Sequence, residues 1–113
     1  MKPYLRRYKL DEKRFLSMLG LCRRAGQMII GTDLVTKALP SGKVLVSFYT
    51  ADSSDNTKKK IQDKCSFYRV RCIKLNIDSL SLSSAIGKDG KICVLGITND
   101  SFSEQLIRLA ENQ

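Results

Sequence analysis

Few residues of this chain have the types and spacing that covalent chemistry requires. Cys65-Ser-Phe-Tyr-Arg-Val-Arg71 has the Cys-x5-Arg spacing of phosphatases that attack phosphorus with a thiolate. Such a loop needs small, glycine-like residues between its ends and must follow a strand. Here the intervening residues are bulky, and Cys65 falls late in an expected helix. Gly87-Lys-Asp-Gly90 lacks the glycine spacing and the Lys-Ser/Thr ending of a phosphate loop. There is no histidine to serve as a base, and no lysine or aspartate is convincingly paired for proton transfer. Cys22, Cys65, Cys72 and Cys93 form no Cys-x-x-Cys pair, which argues against zinc. No catalytic residue, metal ligand or cofactor is therefore assigned.

Gly26 to Lys43 carries a different kind of chemistry. It reads as a glycine turn, a short apolar strand, Gly31, and a helix with Thr32 and Asp33 at its mouth as candidate caps. Leu34, Val35, Ala38 and Leu39 recur at helical spacing and give an apolar face. Pro40-Ser41-Gly42 should stop the helix. Lys37 follows Asp33 by one turn, on the same face. Amide hydrogens at a helix mouth attract anions, and Gly31 lets a phosphate or another backbone come close.

The elements that must position these residues fit one domain of 113 residues. The net charge is +9. Residues 1–74 carry 17 basic and 6 acidic side chains, a balance of +11, and residues 75–113 carry 3 and 5, a balance of −2. The excess thus points to one basic face, for which nucleic acid is the first partner and an anionic membrane surface the second. No apolar run approaches the ~18 residues of a membrane span, and the N-terminus lacks the apolar stretch of a signal peptide. A reduced, cytoplasmic protein without a membrane partner is expected.

Residues 1–10 form a basic, aromatic arm, either contacting nucleic acid or loosely ordered, and 11–113 form the domain. Asp11-Glu12 opens a first helix with the stripe Phe15, Leu16, Leu19 and Cys22, closed by Arg23-Arg24 and Gly26. Val44–Thr50 is an apolar strand of the kind buried on both faces. Asp52, Ser53, Ser54 and Asp55 offer caps for a lysine-rich helix with Ile61, Cys65 and Tyr68 inward. Arg71–Asn76 alternates as a strand. Asp78 begins a serine-rich helix with Leu80, Leu82, Ala85 and Ile86. After the turn Lys88–Lys91 come a strand over Ile92–Ile97 and a helix capped by Asn99 or Asp100, with Phe102, Leu106, Ile107 and Leu109. This alternation predicts a single-domain three-layer α/β/α sandwich.

At Gly31-Thr-Asp-Leu-Val-Thr-Lys-Ala-Leu39 the chain resembles the ribosomal protein superfamily that binds kink-turn RNA, the L-seven-Ae and L-thirty-e family. The resemblance covers about residues 11–110. It includes Leu19–Gly26, Thr50-Ala-Asp52, Asn56–Lys60 and Ala85–Lys88, and is closest to a small bacterial branch, the YlxQ-like proteins. It implies a central mixed four-stranded sheet. In the family, the glycine and helix start dock into the RNA kink. An asparagine and a glutamate two and three residues later read guanines of tandem G·A pairs, and a lysine further along assists. Gly31 and Lys37 match this pattern. Asp33 stands in the asparagine position, where it can accept a hydrogen bond but has no amide donor. Leu34 stands in the glutamate position and can accept none. Lys88-Asp-Gly-Lys91 is charged where archaeal members carry apolar residues that support an extruded base.

The resemblance and the basic face imply a non-enzymatic, ribosome-associated RNA-binding protein. Its expected RNA contacts are Gly31, Thr32, Asp33, Lys37, Lys88 and Lys91, with Arg23, Arg24 and Lys58 as secondary ones. Ribosomal proteins are further expected partners. The alternative is a protein-interaction module of the ribosome or transcription machinery that has lost specific RNA recognition, with Leu34 as its apolar anchor. A small hydrolase using Cys65 is the third reading.

Overall fold

The computed structural model describes residues 3–111, with side chains described for 11–111. Helix α1 (Pro3–Arg24) leads to β1 (Met28–Ile30), α2 (Thr32–Ala38), β2 (Val46–Tyr49) and α3 (Asp55–Phe67). Then follow β3 (Arg71–Lys74), α4 (Ser79–Ala85), β4 (Val94–Ile97) and α5 (Asp100–Ala110). The strands form one mixed sheet in the order β1-β4-β2-β3. β4 pairs antiparallel with β1 and with β2, and β2 pairs parallel with β3. The expected α/β class with a mixed four-stranded centre is the one observed.

Strand alternation distributes the core between two layers. Val46 and Phe48 of β2 and Leu95 and Ile97 of β4 pack with Phe15 and Leu19 of α1, Leu82 of α4 and Leu106 of α5. Phe15 and Phe48 meet edge to face, ring centres 5.3 Å apart. On the other face Tyr49 and Val94 pack with Val35 of α2 and Ile61 and Cys65 of α3. Both central strands are buried along their whole length, as their apolar runs require.

Gly96 lies on the α2 side of β4. A Cβ there would sit 3.1 Å from Val44 Cγ1 and 3.4 Å from Val35 Cγ2. A side chain there would make Val44 give by a few tenths of an ångström, while its contact with Val35 of α2 would be an ordinary one. Ser47, beside it on β2, is fully buried and donates its hydroxyl to Leu95 O at 2.9 Å, so the polar group carries no unpaired cost.

Several expectations are corrected. α1 starts at Pro3 instead of Asp11, so the boundary drawn at residue 10 falls inside a helix. Residues 1 and 2 of the arm, and the side chains of the rest of it, lie outside the described residues. Tyr68 falls just past α3 and is exposed, and Leu80 is 71% exposed. The strands are shorter than their apolar runs, because Val44, Leu75 and Ile92 pack or partly pack into the core from flanking loops. The caps resolve as Ser54 for α3, Asp78 for α4 and Asn99 for α5. Asp52 does a different job. Its carboxylate accepts from the Ser79 amide at 3.0 Å and the Ser79 hydroxyl at 2.8 Å, tying the loop after β2 to the start of α4. The hydrogen bonds from Ser79 and Thr50 hold its carboxyl below the ordinary value of 3.8.

Two measurements check this frame. Gly96→Ala forces Val44 to give, and should lower unfolding stability by about 1–3 kcal/mol in a denaturant titration. Adding Val44→Ala should recover part of that loss, since the closest contact is removed. For Asp52 the folded-state pKa is depressed, so its contribution is present above the unfolded value and lost as pH falls through the folded one. The stability gap between wild type and Asp52→Asn should therefore be widest near neutrality and narrow below the ordinary value of 3.8. A gap that stays constant into acid would assign the effect to shape instead of charge.

Candidate nucleic-acid interface

β1 delivers Gly31 to the edge of the sheet. The Gly31 amide donates to Val94 O at 2.9 Å, extending the β1–β4 ladder by one bond. Its carbonyl accepts from Val35 N at 3.0 Å and so closes the first turn of α2. The backbone between these bonds has φ 100 and ψ 150, a combination reserved almost entirely for glycine. Nothing lies within 4 Å of where a Cβ would be, so the space over Gly31 is open. Gly31 itself is the N-cap, and neither Thr32 nor Asp33 makes a capping bond, which corrects the expectation for both. The α2 helix has seven residues and continues through a 3-10 turn at Leu39–Ser41 that contains Pro40. Pro40 therefore tightens the helix end, and the stop comes at Gly42.

Asp33 is paired across to α3, not along its own helix. Lys60 Nζ lies 3.3 Å from Asp33 Oδ1, with the aspartate side chain 84% exposed. An exposed pair of this kind contributes on the order of 0–1 kcal/mol, so its effect is on orientation and local charge more than on stability. Lys37 is exposed in the last turn of α2. Leu34, expected on the apolar face, is 59% exposed and points away from the core.

Beside Gly31 an open groove is lined by Arg23, Met28, Ile29, Ile30, Leu34, Lys88 and Ile92. Its lining is apolar apart from two cations, Arg23 and Lys88, which come from different elements. Arg23 sits in the last turn of α1, and its Nη1 would be 3.7 Å from a Cβ placed on Gly87. Lys88 is held by its backbone: its amide donates to Ser83 O at 3.0 Å. The buried Ser83 hydroxyl accepts from Ile92 N at 3.0 Å and donates to Ser79 O at 2.7 Å, so one serine pins both ends of the turn to α4. Sequence reasoning passed over Ser83, and also the apolar floor from Met28 and Ile92. The serine's position four residues after Ser79 was the available signal.

Of the expected contact residues, Arg23 and Lys88 line the groove, and Gly31 joins the β1 and α2 residues that line it. Arg24, Lys37, Lys58 and Lys91 lie outside its lining. Arg24, Lys37 and Lys91 are exposed, and Lys58 is half-buried. Cys65 is fully buried within α3, so no substrate reaches its sulfur and no phosphate-cradling loop surrounds it. All four cysteines are free thiols. Burial pushes the Cys22 thiol up to about 11, which keeps it neutral and unreactive. Among the described residues no cluster of three or more His, Cys, Asp or Glu could hold a metal, and no helix is long and apolar enough to cross a membrane.

No family model matches the chain. It is 34% identical over 101 residues to the RNA-binding protein YlxQ of Enterococcus faecium, covering 89% of this chain and 95% of that protein. It is 35% identical over 94 residues to the RNA-binding protein YlxQ of Bacillus subtilis, covering 83% and 92%. A Bacillus halodurans protein of unknown function superposes with a TM-score of 0.79 at 35% identity, over 86% of this chain and 96% of that one. The 15.5kD RNA binding protein of Giardia lamblia superposes with a TM-score of 0.70 at 14% identity, over 98% and 95%, a likeness of fold alone. Sharing about a third of its residues with the two YlxQ proteins over nearly their whole length, the chain belongs to the YlxQ family.

Proposed function

We propose that the protein is a non-enzymatic, cytoplasmic RNA-binding protein, associated with the ribosome, that docks structured RNA at the Gly31 edge of the groove. One observation carries the reading: an apolar floor open to solvent, rimmed by Arg23 and Lys88, beside a glycine whose exposed face is empty. A simple anion site would be polar throughout. An apolar floor beside a pair of cations suits a ligand that is charged along one edge and flat and apolar on another, as an unstacked nucleotide is. The net charge of +9 supplies the long-range attraction. The RNA-binding YlxQ relatives support the same assignment.

Within this reading Gly31 and Thr32 approach the RNA backbone, and Arg23 and Lys88 together hold phosphate at one side of the floor. Lys37, Lys91, Arg24 and Lys58 extend the positive field. Asp33 accepts from a guanine edge while Lys60 offsets its charge, which eases an aspartate's place next to phosphate. Leu34 offers a surface for contact where a carboxylate would offer a hydrogen bond. Kink-turn recognition then rests more on shape and phosphate contacts than on G·A base edges.

The test is binding to a kink-turn RNA and to the same RNA with its G·A pairs replaced, across several salt concentrations. A preference for the kink that survives moderate salt is the expected result. Lys37→Ala should weaken binding to both RNAs and lower the salt slope by about one; unchanged affinity would remove Lys37 from the site. Asp33→Asn with Leu34→Glu should widen the preference for the kink, and no gain would mean that these two positions do not limit specificity. Absence of RNA binding at every salt concentration would instead favour Leu34, 59% exposed, as the anchor for a protein partner.

A further inference from the structure

The far end of α3 carries a feature that the groove does not use. Phe67, its last residue, is 77% exposed, and Tyr68 follows at 36%. The two rings meet edge to face with centres 4.8 Å apart. Next comes Arg69, whose φ of 58 makes it the one non-glycine residue with positive φ among those described. Arg69 N donates to Ser66 O at 3.2 Å and Val70 N to Cys65 O at 2.8 Å, a helix ending that favours glycine at this position. Glycine fills the left-handed position after α1 and α4, at Gly26 and Gly87. After α3 the chain accepts a strained arginine instead.

Lys60, Lys64 and Phe67 recur at i, i+4 and i+7, so they share one face of α3. Lys60 already touches Asp33 at the mouth of α2. From there to Phe67 the stripe runs about 10 Å along the helix axis. Asp63 flanks it and is the only acidic residue in the second half of α3. Arg71 is committed to Glu111 at 2.6 Å and adds no free charge.

We propose that Lys60, Lys64, Phe67, Tyr68 and Arg69 form a second RNA-contacting surface that receives unpaired nucleotides leaving the groove at Gly31. This rests on the RNA-binding reading above. The lysines follow the phosphates, and the exposed rings give bases a stacking surface that any sequence can use. Arg69 adds a guanidinium beside the rings, at the cost of a backbone that glycine would relax. An acidic protein partner would also be drawn to the cations. The apolar exposure and the contact of Lys60 with Asp33, two residues past Gly31, favour a single strand of RNA.

The experiment compares a structured hairpin RNA with the same hairpin carrying a single-stranded adenosine tail, by fluorescence anisotropy at fixed salt. The tail should raise affinity for the wild type, and Phe67→Ala should remove roughly tenfold of that gain. Phe67 is exposed, so this variant folds, and Phe67→Trp should keep the gain and show quenching when the tailed RNA is added. Arg69→Gly should raise the denaturation midpoint yet reduce the tail's contribution. Equal affinity for both RNAs, or a tail gain untouched in Phe67→Ala, overturns the proposal and leaves the rings to a protein partner. Lys88→Ala, which removes a cation that lines the groove, separates the two readings: if it weakens neither RNA while Phe67→Ala abolishes the tail gain, the groove assignment fails and the α3 surface stands. A wild-type protein that binds neither RNA overturns both.

Discussion

Val44 and Val35 of α2 pack against Gly96 in the middle of β4, Val44 so tightly that a Cβ there would make it give. The groove depends on this contact. The body of α2 packs over Gly96 through Val35, and its start is held by the amide bond from Gly31 to Val94, two residues along the same strand. A helix held at two points of one buried strand has little freedom to tilt. On the other face of the sheet, a Cβ at Gly20 of α1 would lie 3.0 Å from Ala85 O of α4. That close approach brings the turn after α4 beside the end of α1, and so Lys88 beside Arg23. Each wall of the groove thus packs against a glycine, at Gly96 under α2 and at Gly20 beside α4. Interfaces built on packed elements keep their geometry better than those built on loops.

The electrostatics are arranged around that rigid frame with few strong pairs. The ion pair Lys60–Asp33 joins α2 to α3 at the surface, where screening by salt leaves it weak. Its consequence in the proposed reading is local: it offsets a carboxylate, two residues past Gly31, that would oppose a phosphate. Asp52 shows the contrasting use of a carboxylate. It is engaged by the Ser79 amide and hydroxyl, and α4 then passes the constraint on through Ser83 to Ile92 and the Lys88 turn. A chain of short polar bonds thus connects the loop after β2 to a basic turn that carries none of its own anchoring side chains.

Element types and order were legible because helix and strand periods alternate cleanly and because Ser54, Asp78 and Asn99 stand where caps belong. The mixed sheet came from the family resemblance alone, since periodicity cannot say which strands pair. The basic face was legible from the uneven charge, and Gly31 from its place between a strand and a helix. What escaped notice depends on tertiary neighbours. Asp33 has Lys37 one turn away in sequence, yet its partner is Lys60, because α2 and α3 lie side by side on the sheet. Leu34 fits an apolar helical face on spacing, but Val35 and Leu39 already fill the contact with the sheet. Asp52 looked like a cap for the helix that follows it and serves the one after. For the two aspartates local spacing allowed two partners, and packing selected the more distant one.

Two backbone strains in this fold differ in what they ask of the sequence. At Gly31 the conformation requires glycine, and glycine is present, so geometry and residue agree. At Arg69 a left-handed conformation, like that of Gly26 and Gly87, is occupied by a residue that disfavours it by roughly 1 kcal/mol. A helix ending gains nothing from a guanidinium that glycine would not give it at lower cost. The residue therefore contributes something outside the packing of its own turn, and its neighbours are two aromatic rings left in water with a lysine one turn back. Exposed aromatics, a strained cation and a basic helix face each weaken or fail to help the folded state. Their meeting at one end of α3 is most simply explained by a ligand that uses all three.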